Sequence, residues 1–200
     1  MELASKSKIL IGKMEFEKVF IDGLIVVKPD VFPDDRGYFF ESFNKKKYEN
    51  GGINYSFVQD NISRSKKGTV RGLHYQVGEF AQGKLCSVIF GKVLDVAVDI
   101  RFGSPTFGKY FSIELSEENK YQLFIPPGFA HGFSVLSDEA IFSYKCTNFY
   151  HKDSERAILY CDEDLKINWQ VDHPIVSQKD LAAISFKQIN QDFIYQRREM

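Results

Sequence analysis

Gln59-Asp60-Asn61-Ile62-Ser63-Arg64-Ser65-Lys66-Lys67-Gly68-Thr69-Val70-Arg71-Gly72-Leu73-His74-Tyr75-Gln76 decides how this chain is read. Residues 55–63 and 69–76 read as extended strands. Side chains two apart on a strand share a face, so Gln59, Asn61 and Ser63 point one way and Asp60 and Ile62 the other. By the same parity, Arg71 and Leu73 oppose Gly72 and His74. A strand face lined with amides in place of Val or Ile is a poor core face. It suits the floor of a site for a polar ligand.

Working outward, the rest of the chain also breaks into short strands. Residues 24–28 form one, stopped by Pro29, and Pro33-Asp34-Asp35-Arg36-Gly37 is a turn before an extended run over 38–43. A short helix is expected over 45–49, ended by Gly51-Gly52. Residues 84–90 and 93–100 flank Gly91-Lys92 as a hairpin, and 110–115 and 121–125 flank a polar loop as another. Pro126-Pro127-Gly128 turns the chain into strands over 129–136, 140–150 and 157–160. Such regular spacing predicts a sandwich or barrel rather than a βαβ fold. The main helix is expected near the C-terminus, around 177–184. Residues 1–14 read as a loose extension, continued to residue 20. No domain boundary interrupts 1–200.

The 200 residues are 44% hydrophobic with a formal charge of −1, which suits one soluble domain with a sizeable core. Nineteen Phe and ten Tyr favour strands and large buried surfaces. The near-zero charge argues against a nucleic-acid protein, while a few local cations suffice for a phosphorylated small ligand. Cys86, Cys146 and Cys161 lack metal-type spacing and read as free thiols of a reducing compartment. With no sustained apolar stretch at the N-terminus and no window of spanning length, a cytoplasmic protein without membrane partners is expected.

Four histidines are present: His74, His131, His151 and His173. A histidine on a strand is by default a hydrogen-bonded core or surface residue, but a small barrel could point His74 and His131 into one cavity. Metal-binding barrels commonly use two histidines two apart. Here Gln76 follows His74 at that spacing and Lys84 lies on the next strand, so no metal is expected. Without metal, a histidine serves as a general base if a carboxylate holds its tautomer. Asp95, Asp99, Glu155 and Asp180 are all open for that part. Asp180 has a competing reading, because Ser177-Gln178-Lys179-Asp180 has the form of a helix capping box. Tyr144 reads by default as packing, Lys84 as a surface lysine, and Asp35-Arg36-Gly37 as a solvated turn.

These signals occur together and in order. Asp34-Asp35-Arg36-Gly37-Tyr38-Phe39-Phe40-Glu41-Ser42-Phe43, Gln59-Asp60-Asn61, residues 67–76 and Gln82-Gly83-Lys84 are followed by Asp95-Val96-Ala97-Val98-Asp99-Ile100-Arg101. Gly103-Ser104-Pro105-Thr106-Phe107-Gly108, Ile125-Pro126-Pro127-Gly128-Phe129-Ala130-His131-Gly132-Phe133 and Tyr144-Lys145 complete the set. Together they closely resemble the dTDP-4-dehydrorhamnose 3,5-epimerase family, the RmlC-type cupins, from about residue 24 to residue 180.

The resemblance implies a mainly β, cupin-type jelly roll, usually a homodimer. It also implies a cofactor-free isomerase that inverts C3 and C5 of a dTDP-linked 4-keto-6-deoxyhexose in dTDP-L-rhamnose or related deoxysugar biosynthesis. By motif position, His74 is the base, Asp180 its partner, Tyr144 the acid on the opposite face, and Lys84 the cation beside the C4 oxygen. Arg36, Glu41, Gln59, Asn61, Arg71, His131, Glu155 and Lys179 match substrate contacts. On this footing Asp180 is assigned to His74 rather than to the cap. Ile62 departs from a histidine common in the family after Gln-Asp-Asn, and Gly78-Glu79-Phe80-Ala81 replaces a commoner proline-containing loop. The alternatives are a 3-only or 5-only epimerase, a nucleotide-sugar-binding cupin without catalysis, and a metal-dependent cupin oxygenase, the last disfavoured by Gln76.

Overall fold

A computed structural model describes residues 7–196. Its strands are β1 (Lys8–Ile11), β2 (Met14–Lys18), β3 (Ile25–Lys28), β4 (Val31–Asp34), β5 (Gly37–Phe40), β6 (Gln59–Lys66), β7 (Val70–Gln76), β8 (Lys84–Phe90), β9 (Lys92–Asp99), β10 (Tyr110–Ser116), β11 (Gln122–Ile125), β12 (Phe129–Val135), β13 (Glu139–Cys146) and β14 (Glu155–Ala157). Helices are α1 (Lys45–Asn50) and α2 (Gln178–Leu181). Seven strands form one antiparallel sheet in the order β1-β2-β3-β11-β8-β13-β6. Five form a second, β10-β9-β12-β7-β14, and β4-β5 stands apart as a hairpin. Strands consecutive in sequence repeatedly change sheet, which makes the pair a jelly roll.

Both expected hairpins prove to be crossovers. β8 pairs with β11 and β13 in the larger sheet, whereas β9 pairs with β10 and β12 in the smaller. Gly91 carries the chain between them at φ +75°, where a Cβ would collide with the Glu139 carbonyl oxygen. β10 and β11 are likewise divided between the sheets. Alternating patterns flanking a short turn are compatible with a hairpin or a change of layer, and the inner-face contacts choose the latter.

Those contacts form the core between the sheets. Val26, Cys86, Val88, Leu123 and Phe142 face Val93, Ala97, Phe129, Phe133 and Val135. A second cluster covers the outer face of the smaller sheet, where Leu94, Val96 and Val98 lie under Ile158, Leu165 and Trp169. β9 is therefore buried on both faces from Val93 to Asp99, which explains its nearly unbroken apolar run.

The N-terminal extension is corrected for the described residues. β1 and β2 extend the larger sheet, and Met14 and Phe16 are buried with Tyr48 and Ile53. Residues 1–6 of that expectation lie outside the described residues. The longest helix is α1, not one near the C-terminus. Asn44 caps α1 by accepting from Lys47 N, and its buried Tyr48 donates to Gln122 Oε1 at 2.6 Å. α2 is one turn, much shorter than 177–184. Residues 147–150 leave the sheet after β13 and form the loop beside the site. Among the described residues, no helix is long and apolar enough to cross a membrane.

Candidate active site

A cavity of about 700 Å³ lies where the sheets part. β6 supplies Asn61, Ser63 and Ser65, β7 Arg71 and His74, β8 Lys84, β12 His131, β13 Tyr144, and α2 Lys179 and Asp180. A smaller cavity of about 270 Å³ shares Asn61, His74, Lys84 and Tyr144 and adds Gln59, Gln82, Tyr150 and Glu155. The four shared residues stand at the junction of the two lobes.

The amide face of β6 is as expected, with Gln59, Asn61 and Ser63 turned inward and Asp60 and Ile62 outward. The parity of β7 is corrected. His74 pairs with His131 and Arg71 with Phe133, so Gly72 and Leu73 oppose the single residue Gly132. This extra residue is a β-bulge, which re-aims side chains. Arg71 and His74 consequently line the same cavity. Gly72 is required here. Its φ is +124°, and a Cβ would lie 2.5 Å from Gly132 Cα and 2.8 Å from the His131 carbonyl oxygen.

His74 Nε2 lies 2.6 Å from Asp180 Oδ1. Asp180 is 3% exposed, and Gly72 N–H donates to its other oxygen at 3.5 Å. Burial pushes this carboxyl up, but the hydrogen bonds and the charge of His74 outweigh it and hold it below the usual carboxylate range. The capping relation also exists: Ser177 Oγ accepts from Asp180 N at 3.1 Å. Serine thus caps the backbone of α2 while the Asp180 side chain remains free to reach His74. When the His74 ring is neutral, Nε2–H is donated to the carboxylate and the lone pair is on Nδ1.

Lys84 Nζ is 3.5 Å from the His74 carbonyl oxygen and 5.8 Å from the centre of the Tyr144 ring. Among the described residues no carboxylate forms an ion pair with it, so its charge is available to the cavity. Burial pushes the Tyr144 phenol up to about 12. An imidazole, a cation and a protonated phenol around one space can remove a carbon-bound proton, stabilise the charge left behind, and return a proton.

The expected contacts divide into two groups. Arg71 donates Nε to Ser65 Oγ at 3.0 Å and, among the described residues, has no carboxylate partner, leaving N–H groups for an anion. Lys179 donates to Glu155 at 2.5 Å and Tyr150 Oη to the same oxygen at 3.0 Å, forming a rim. Gln59 Nε2 donates to Asn61 Oδ1 at 3.1 Å, and its carbonyl accepts from Tyr150 N at 2.9 Å. Arg36 and Glu41 are not brought to this cavity. Arg36 is exposed and paired with Asp34, and Glu41 is held by Lys47 and Asn44.

His131 also lines the cavity, with Nε2 2.7 Å from Asp95 Oδ1. Burial lowers the tendency of this imidazole to ionise, against the opposing pull of Asp95. Two histidine–carboxylate pairs therefore stand side by side across β7 and β12. Asp99 instead binds Arg101, Ser104 and Thr106. Gln76 is a structural tie, donating to the carbonyls of Phe80 and Phe149 and accepting from His151 N. Ser65 and Tyr150 were missed by the sequence reading. Ser65 continues the 59–61–63 parity, whereas nothing local marks Tyr150.

The family model for dTDP-4-dehydrorhamnose 3,5-epimerase matches residues 18–188. A relative of that name from Shigella flexneri is 53% identical over 174 residues, covering 86% of this chain and 96% of the relative. The crystal structure of dTDP-6-deoxy-D-glucose-3,5-epimerase RmlC from Legionella pneumophila Philadelphia 1, in complex with dTDP-4-keto-L-rhamnose, superposes with a TM-score of 0.88 at 50% identity, over 92% of this chain and 100% of that one. The crystal structure of dTDP-4-dehydrorhamnose 3,5-epimerase from Elizabethkingia anophelis NUHP1 gives 0.83 at 51%, over 87% and 97%.

Proposed function

The chain belongs to the dTDP-4-dehydrorhamnose 3,5-epimerase family, and on that footing we propose that it inverts C3 and C5 of a dTDP-linked 4-keto-6-deoxyhexose in deoxysugar biosynthesis. The observation that carries this reading is the 2.6 Å hydrogen bond from His74 to Asp180 in a cavity shared with Lys84 and Tyr144.

C3 and C5 both neighbour the C4 carbonyl, so loss of either proton sends charge to the C4 oxygen as an enolate. His74 is the base: Nδ1 takes the proton, and Asp180 stabilises the imidazolium. A base so placed contributes ~10²–10⁴-fold. Lys84 meets the enolate oxygen as a fixed cation, which is worth more in a dry pocket than in water. Tyr144 supplies the new proton from the opposite face, and its high pKa keeps it protonated until then. The step is redox-neutral, with one proton leaving carbon and one returning.

Arg71 binds the diphosphate through its planar fork. Gln59, Asn61, His131, Glu155 and Lys179 complete the polar lining. Arg36 and Glu41 contact substrate from a second copy of the chain. The aromatic surface of the β4–β5 hairpin, with Phe32, Tyr38 and Phe39 exposed, is covered in that homodimer, and the enzyme works in the cytoplasm.

The test is incubation of the purified protein with dTDP-4-keto-6-deoxyglucose and NMR of the product. Inversion at both carbons is expected. Inversion at one would make it a 3-only or 5-only epimerase, and unchanged sugar retained by the protein would make it a binding protein.

A further inference from the structure

Behind the wall of the cavity lies a group of side chains that the epimerase chemistry does not use in full. Cys86 Sγ on β8 is 3.6 Å from His131 Nε2 on β12, and the same nitrogen is 2.7 Å from Asp95 Oδ1 on β9. A thiol, a carboxylate oxygen and an imidazole nitrogen all lie within 4.8 Å of one another, and all three residues are buried. The other oxygen of Asp95 is buried and has no hydrogen-bond partner among the described residues. A carboxylate oxygen removed from water without a partner is costly. This unpartnered oxygen is an observation independent of the spacing, and its charge suits a cation as partner.

We infer that Cys86, Asp95 and His131 form a binding site for a thiophilic divalent cation of the zinc class, and that occupancy inhibits the enzyme. Zinc takes sulfur at about 2.3 Å and nitrogen or oxygen at about 2.0–2.2 Å, in tetrahedral sites with separations between donor atoms of roughly 3.3–3.8 Å. The Cys86–His131 separation already meets this. The Asp95–His131 separation has to open by about half an ångström, which loss of the intervening hydrogen allows. On binding, the Cys86 thiol proton leaves to solvent, and the imidazole hydrogen moves from Nε2 to Nδ1. Thiolate and carboxylate then balance the two positive charges, offsetting the repulsion of nearby Lys84. His131 lines the cavity and provides the route of entry. The tautomer shift changes its hydrogen-bonding character there. The inhibitory part rests on the proposed epimerase reading, whereas binding does not.

The test is titration of the intact protein with Co²⁺, following the sulfur-to-cobalt charge-transfer band in the near ultraviolet, with Zn²⁺ as competitor. One equivalent is expected to give the band in the wild type and in Cys161→Ser, since Cys161 is the exposed thiol. Cys86→Ser and Cys86→Ala should lose the band and weaken binding ~10- to 100-fold or more. Epimerase activity should fall in step with the band in the wild type, and the Cys86 variants should resist the same cobalt concentration. No band in the wild type, a band surviving in either Cys86 variant, or its loss in Cys161→Ser would overturn the site. A band with activity intact would overturn the inhibition alone. Failure of the epimerase reading would leave the cobalt result unchanged, so the two failures are distinguishable.

Discussion

Asp180 holds His74 across 106 residues of sequence at 2.6 Å, and the same carboxylate reaches Gly72 N–H two residues away on β7. One buried side chain thus fixes both the proposed base and the bulge that aims it. Its own position comes from Ser177, which caps the single turn of α2.

Asp180→Asn preserves the shape and removes the charge that stabilises a protonated His74. The turnover number should fall ~10²–10⁴-fold with KM little changed, as steady-state kinetics will show. Stability should respond as well. A carboxylate held below its usual pKa contributes stability that is complete above the unfolded value and lost as pH falls through the folded one. The Tm difference between wild type and Asp180→Asn should therefore narrow as pH drops below about 4. A difference that widens in acid would contradict the pairing.

Tyr144→Phe should uncouple proton removal from inversion. Deuterium from heavy water should still enter the sugar, while inverted product falls ~10²-fold or more. In a difference ultraviolet titration against this variant, the Tyr144 phenol should ionise near 12, not at the ordinary value of about 10. Normal yields of inverted sugar from Tyr144→Phe would remove the phenol from the mechanism.

Gly72→Ala tests the bulge. Its Cβ meets backbone atoms of Gly132 and His131 at 2.5 and 2.8 Å, so no side chain can yield to relieve the clash. The positive φ adds strain, and the combined loss should be at least about 2–3 kcal/mol by denaturant unfolding. Refolded protein should also bind dTDP more weakly, because Arg71 and His74 no longer share a wall.

Much of this was legible in the sequence. The amide face of β6 follows from period-two alternation, and strands β7, β8, β9 and β12 appear near their expected bounds. What sequence could not supply was long-range. Gly91-Lys92 looks the same whether the next strand turns back in its own sheet or crosses to the other. The placement of Arg71 depends on Gly132, 61 residues later, because only the pairing with β12 creates the bulge. Met14 and Phe16 look like part of an extension in sequence because their partners, Tyr48 and Ile53, lie on a distant helix and loop. Asp95 and Asp180 were both open as histidine partners, and the topology assigns one to each histidine.

Arg36→Ala tests the proposed dimeric site. Arg36 lies on the β4–β5 hairpin, away from the cavity of its own chain, so its loss should raise KM about 10- to 100-fold with kcat near normal. Sedimentation should give a dimer for wild type and variant alike. An unchanged KM, or a monomeric wild type that is fully active, would contradict delivery of Arg36 from a second copy.

The proposed removal of a carbon-bound proton by His74 is open to direct test. Its most direct measurement is uptake of solvent deuterium at C3 and C5 by wild type and His74→Ala, with dTDP binding followed in parallel. Label at both carbons with wild type and at neither with a His74→Ala protein that still binds dTDP is the predicted result. Uptake at the wild-type rate by His74→Ala would contradict it.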